Sequence, residues 1–184
     1  MVGLRQLKRD RTRAKIQREA LRLFLERGFH GVTVAEVAEA AEVSAMTVFR
    51  HFPTKEDLVM SDGYDEVIAE RIAAGPSEGP LTRRIGEGLL MGWGELSGEA
   101  AELTLARVRL IMDTPALRAR LWENQYATGR AIVAALAGED PFEVEVAAAA
   151  CLGAVGVALL RWAAEGGRAD VRELIETALE VIDR

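Results

Sequence analysis

The chain has 184 residues and a formal net charge of -6, so it is long enough for a small head on a larger body, and bulk charge does not point to a nucleic-acid partner. Its one cysteine, Cys151, excludes an intrachain disulfide and a thiolate metal cluster. The N-terminal MVGLRQLKRDRTRAK has no apolar core of the signal-peptide kind, so a cytoplasmic protein without a cofactor is expected.

The charge is unevenly spread. Residues 1–27 hold nine Lys/Arg against three acids, and residues 61–184 hold twelve against twenty-one. That fits an anion-binding head on an acidic body, and equally a solvated basic first helix.

In chain order, the spacing of Ile16, Ala20, Leu23 and Phe24 predicts a first helix over 12–27, with Gly28 where a C-cap ends it. Three hydroxyl caps follow: Thr33 before Glu36, Ser44 before Thr47, and Thr54 before Asp57. They predict helices over 34–41, 45–51 and 55–73. The first two span only two turns, so packing must hold them. Val37, Ala38, Ala41, Val43, Val48 and Phe52 are the expected core. The stretch 75-GPSEGP-80 reads as a loop. Helices are then expected over 81–97, 99–112, 115–138, 142–165 and 169–183. The run 146-VAAAACLGAVGVALL-160 falls short of the roughly 20 residues of a membrane span and reads as a buried helix. The fold class is all-α, with about nine helices in all. A helix-turn-helix unit with its N-terminal arm (1–54) precedes a larger helical bundle (55–184), and helix 55–73 connects the two.

Two short helices joined by a tight turn form the helix-turn-helix pattern, whose second helix enters the DNA major groove. Thr33, at the start of the first helix, is suited to face a phosphate. Ser44, Ala45, Met46 and Thr47 open the second, the end that meets base edges. Arg50, His51 and Lys55 supply donors or positive charge for the flanking phosphates. Each cap would serve as well without DNA, and each charge reads also as a solvated side chain. The basic arm from Arg5 to Arg13 reads equally as a groove-reaching segment and as a free tail. Because a two-turn recognition helix buries little surface, the reading requires a dimer on a near-palindromic site.

The segment G31-V-T-V-A-E-V-A-E-A-A-E-V-S-A-M-T-V-F-R-H-F-P-T-K-E-D-L-V59, with its approach L21-x-L-F-L-E-R-G-F-H-G31, resembles the DNA-binding domain of the TetR family. The resemblance covers residues 12–60. It implies phosphate contacts from Thr33, His51 and Lys55, a base or phosphate contact from Thr47, and base reading at Ala45 and Met46. Ala or Met there can meet a thymine methyl but cannot read guanine bidentately. Two positions depart from the pattern. Glu42 stands where the family usually has a turn glycine at positive φ. Phe49 stands where it usually has tyrosine, which removes one hydroxyl donor to a phosphate.

For the body, the resemblance implies a small-molecule pocket and a four-helix dimer interface. Met91, Trp93, Met112, Trp122, Tyr126 and Trp162 are the pocket candidates, and each reads also as plain core. The dimer candidates are Leu152, Val155, Gly156, Leu159, Leu174, Ile175 and Leu179, on helices 142–165 and 169–183. The expected partners are a double-stranded DNA operator, a small-molecule effector of unknown identity and a second copy of the chain, with no membrane. Tyr64 and Ile68 on the connecting helix are candidates to transmit effector binding.

An enzyme is the first competing class. The chain has no glycine-rich phosphate loop, no HExxH and no zinc-ligand spacing. Its two histidines, His30 and His51, both lie in the head, so no catalytic function is expected. A helical protein-interaction module whose head has lost strong operator binding is the other alternative, kept open by Glu42 and Phe49.

Overall fold

The computed structural model describes residues 4–60, 65–93 and 98–184. Their regular elements are helices: α1 (Leu4–Arg27), α2 (Val34–Ala40), α3 (Ala45–His51), α4 (Asp57–Met60), α5 (Asp65–Ala74), α6 (Leu81–Met91), α7 (Gly98–Asp113), α8 (Pro115–Ala135), α9 (Pro141–Ala164) and α10 (Val171–Ile182). The connecting helix expected over 55–73 is seen as α4 and α5. Residues 61–64 between them, with Tyr64, lie outside the described residues.

The chain forms two compact units. One comprises Met1–Ser61 with Leu110–Arg120, and the other Asp62–Arg109 with Leu121–Arg184. The first therefore runs past residue 54 to include α4, and it takes in the corner between α7 and α8.

In the first unit, α1 begins at Leu4 rather than at residue 12. Apolar periodicity starts at Ile16, but the residues before it are mostly Leu, Gln, Lys and Arg. These are good helix formers with no breaker among them, so the helix extends. Gly28 sits at φ +78 and ends α1 as expected. Ile16, Ala20 and Phe24 of α1 are buried, together with Val37, Ala38, Ala41, Val48, Phe52 and Leu58. This shared core holds the two-turn helices α2 and α3, which could not persist alone.

In the second unit, α6, α9 and α10 pack around Ile85, Ile132, Val144, Cys151, Trp162 and Ile175. The two glycines inside α6 are both closely packed. A Cβ on Gly88 would lie 2.3 Å from Ile72 Cγ1, and one on Gly86 would lie 3.4 Å from Leu179. Close packing on α5 and α10 offsets the cost of glycine inside a helix. Asp140 caps α9, accepting from the amides of Phe142 at 3.0 Å and Glu143 at 3.1 Å. Arg84, almost fully buried, is neutralised by Glu139 at 2.6 Å and also donates to the Pro76 carbonyl at 2.9 Å.

α9 is, by length and composition, apolar enough to cross a membrane, with a mean hydropathy of 1.9 over its most apolar window. Its composition has a simpler source. One face is buried in the core through Val144, Ala147, Ala148, Cys151, Val155 and Trp162, and a second, outer face is also apolar. Burial pushes the Cys151 thiol up to about 12, so it stays protonated and unreactive.

Candidate nucleic-acid interface

Local hydrogen bonding fixes the helix-turn-helix. The Thr33 hydroxyl accepts from the Glu36 amide at 3.3 Å, and the Glu36 carboxylate accepts from the Thr33 amide at 2.8 Å. This is a complete capping box. The two Thr33 hydrogen bonds, followed by Arg27 at 2.6 Å, hold the Glu36 carboxyl down to about 2.

The turn after α2 closes through two bonds: Val43 N–H donates to the Ala38 carbonyl and Glu42 N–H to the Glu39 carbonyl. The pattern is a Schellman motif, which places its C′ residue in the left-handed region. That residue is Glu42, at φ 54, as its alignment with a family glycine implies. Its carboxylate pairs with Lys15 of α1, which lowers its pKa. The acid is thereby partly neutralised within the chain.

Ser44 caps α3 by accepting from the Thr47 amide at 3.1 Å, and the two hydroxyls lie 2.9 Å apart. Val48 and His51 point inward. The outer face carries exposed Ser44, Ala45, Met46, Phe49 and Arg50, with Thr47 half-buried at its edge. Met46 is 76% exposed and Phe49 is 48% exposed, a large apolar display for so short a helix. Thr33 is exposed at the start of α2.

Three basic side chains are directed otherwise than charge alone led one to expect. His51 is buried, and its carbonyl accepts from Arg13 Nη1 at 3.0 Å. Burial lowers its pKa, and Arg50, Arg9 and Arg13 lower it further, so the ring is held neutral. Arg13 also stacks over the Phe52 ring at 4.4 Å. It is a packing residue on α1 and not part of a free arm. The Lys55 ammonium donates to the Phe29 carbonyl and lies 4.4 Å from the Phe29 ring and 5.5 Å from the Phe24 ring. Its pKa is lowered, mainly by burial. The position of neither His51 nor Lys55 supports the phosphate contact expected of it: each group is turned into the head.

In the second unit the pocket candidates disperse. Trp162 is core, its indole N–H donating to the Ala169 carbonyl at 3.0 Å. Met91 is exposed, and Trp93 is half-buried against the core. Met112 belongs to the first unit. Trp122 and Tyr126 line an open groove of about 690 Å³ between α8 and α9. Among the dimer candidates, Val155 and Ile175 are buried in the protomer's own core, and Leu152, Leu159, Leu174 and Leu179 pack against it. Those of α9 and those of α10 are thus engaged with the protomer's own core. Among the described residues, no group of three or more His, Cys, Asp or Glu is placed to hold a metal ion.

Comparison with known proteins agrees with this geometry. Residues 16–61 match the family model for bacterial regulatory proteins of the tetR family, and residues 84–184 match the MftR C-terminal domain model. The HTH-type transcriptional regulator TcmR of Streptomyces glaucescens is 39% identical over 148 residues, which cover 75% of this chain and 66% of that relative's length. A Thermus thermophilus FadR repressor, solved in complex with lauroyl-CoA, is 25% identical with a TM-score of 0.55, over 92% of both chains. The Bacillus subtilis FadR, in complex with stearoyl-CoA, shares the fold at 19% identity and a TM-score of 0.57, over 91% of this chain and 96% of that one. The chain belongs to the TetR family of helix-turn-helix transcriptional regulators.

Proposed function

We propose that the protein is a homodimeric repressor that binds a palindromic operator through α3 and is released by a small, mainly apolar effector. The observation that carries this reading is the outward face of α3. Met46, Phe49 and Arg50 stand exposed on a helix whose inner side is locked by Val48 and capped by Ser44. Ala45 and Met46 meet thymine methyls, Phe49 packs on sugar or a methyl, and Arg50, Thr47 and Thr33 meet phosphates. His51 and Lys55 hold the helix in place from behind.

The effector binds the body and favours a conformation with lower operator affinity, as linkage requires of any ligand that prefers the non-DNA state. The lauroyl-CoA of the Thermus thermophilus FadR complex supports an acyl-chain or similarly apolar effector. Trp93, with one side on the core and one side open, is the candidate best placed to line its pocket. No catalytic role is proposed, and a cytoplasmic location follows from work on DNA.

The test is direct titration of DNA fragments flanking the coding region at several salt concentrations, with and without lauroyl-CoA. Sequence-selective, salt-dependent binding that weakens with the ligand supports the reading. A ligand that raises the melting temperature yet leaves operator affinity unchanged counts against the release step.

A further inference from the structure

Folding alone gives no reason for an acid at position 42. At φ 54 Glu42 occupies the left-handed region, which disfavours any residue with a side chain relative to glycine. Its ion pair with Lys15 offsets little of that, because the Glu42 side chain is 81% exposed and the Lys15 side chain 38% exposed.

Its position supplies a reason. Glu42 stands two residues before Ser44, the cap of α3. Two residues span at most about 7 Å, inside the Debye length of about 8 Å at physiological salt. A charge at 42 is therefore felt at the first turn of α3, the end of a recognition helix that enters the groove between two phosphate chains. The Lys15 ammonium is held at the same turn by its hydrogen bond to Glu42. Lys15 belongs to a basic row on α1, where Arg11, Lys15 and Arg18 stand at i, i+4 and i+7 on one side of the helix. Arg11 and Arg18 are exposed. Glu42 occupies the middle cation of the three. The Lys15 hydrogen bond and charge lower the Glu42 pKa, so its carboxylate is ionised at any pH near neutrality.

We propose that the Glu42 carboxylate stands in for a DNA phosphate on Lys15, and so limits the affinity of the head for duplex of any sequence. The inference rests on the DNA-binding reading above and deepens it, for it names the residue that restrains the sequence-independent share of the affinity. That share is carried by phosphate neutralisation, each contact contributing about 0.9 to the slope of log K against log salt. A Lys15 occupied by Glu42 contributes nothing to the slope. A Lys15 released from it adds one contact, on operator and unrelated duplex alike. With the carboxylate in place, the protein is held less firmly by the excess of unrelated duplex around any operator.

The experiment is a double-mutant cycle on the full chain. A DNA fragment flanking the coding region and an unrelated duplex of the same length are titrated by fluorescence anisotropy between 50 and 200 mM salt. Glu42→Gln removes the charge and keeps a side chain at 42. It is expected to tighten binding to both duplexes and to steepen the slope by about one unit, so that its advantage shrinks roughly threefold across that salt range. Lys15→Gln is expected to leave the slope unchanged in the native background and to abolish the gain in the Glu42→Gln background. Glu42→Gly, which suits the left-handed turn, is expected to give the same slope as Glu42→Gln, so the outcome does not depend on one variant folding. A slope unchanged in both Glu42 variants overturns the proposal and leaves the DNA-binding reading standing. So does a slope that falls by about one unit with Lys15→Gln alone, since it puts the native ammonium on a phosphate already. A native chain with no salt-dependent binding to any duplex ends the DNA-binding reading, and this inference with it.

Discussion

Arg120, in the second turn of α8, is tied to Asp57 at the start of α4: its Nη2 lies 3.2 Å from Asp57 Oδ1 and 3.4 Å from Thr54 Oγ1. Asp57 is also one half of a reciprocal cap, its Oδ2 accepting from the Thr54 amide at 2.8 Å. One carboxylate thus starts α4 and pairs with Arg120 within the same unit. Arg120→Ala is expected to lower stability by about 1 kcal/mol, the range for a partly exposed charged pair. Asp57→Ala is expected to lower it further, since it removes the cap as well. A double-mutant cycle in urea that shows purely additive effects would mean the two groups do not interact in solution.

His51 gives the head a specific pH dependence. Its folded pKa lies below the ordinary histidine value of about 6.5. The unfolded chain therefore takes up the proton first as pH falls. The stability contributed by neutral His51 is complete above about pH 6.5 and is lost as pH drops through the folded pKa. The slope attributable to one such group is at most about 1.4 kcal/mol per pH unit. Urea midpoints measured from pH 7.5 to 5 are expected to fall more steeply for the native chain than for His51→Gln. Parallel curves would show that His51 titrates normally.

Lys55 is engaged by Phe29 and two rings, so it is expected to act on stability and not on phosphate neutralisation. Lys55→Met is expected to destabilise the fold by about 1 kcal/mol, the scale of one hydrogen bond or cation–π contact. The slope of log K against log salt for DNA binding is expected to be unchanged. A slope reduced by about one unit would place the ammonium on a phosphate.

Phe49 stands 48% exposed on the reading face and lacks a hydroxyl. Phe49→Tyr restores the donor that the family pattern implies. Operator affinity is expected to rise roughly fivefold, equivalent to about 1 kcal/mol for one added hydrogen bond. Equal affinity for both side chains, measured by fluorescence anisotropy, would show that the ring edge does not reach a phosphate.

How much of this was legible in the sequence depended on range. The Thr33 and Ser44 caps and Gly28 were readable, because each is decided by a few neighbouring residues and hydrogen-bond stereochemistry, whereas the left-handed Glu42 was implied only by the resemblance to a family with glycine there. The start of α1 was not readable, since a basic segment without apolar periodicity shows its helicity only through propensity. The inward aim of His51 and Lys55 was hidden because charge fixes a preference for partners and not a direction. Phe29, which lies far from Lys55 in sequence, supplies its partner carbonyl. On α9, apolar residues occur on two faces, so periodicity alone did not choose between Val155, which is core, and Val157, which is 65% exposed. The open groove beside Trp122 depends on how α8 and α9 meet, and no local pattern encodes that.

The central claim is that α3 reads duplex DNA, twice per assembly. The direct measurement is a footprint of the native chain on DNA flanking its coding region, repeated with Met46→Ala/Arg50→Ala at matched salt. Two protected patches about 34–36 Å apart, lost in the double variant while its fold and dimer persist, are the expected result. A native, dimeric chain that protects no fragment in preference to unrelated duplex at moderate salt would contradict the account.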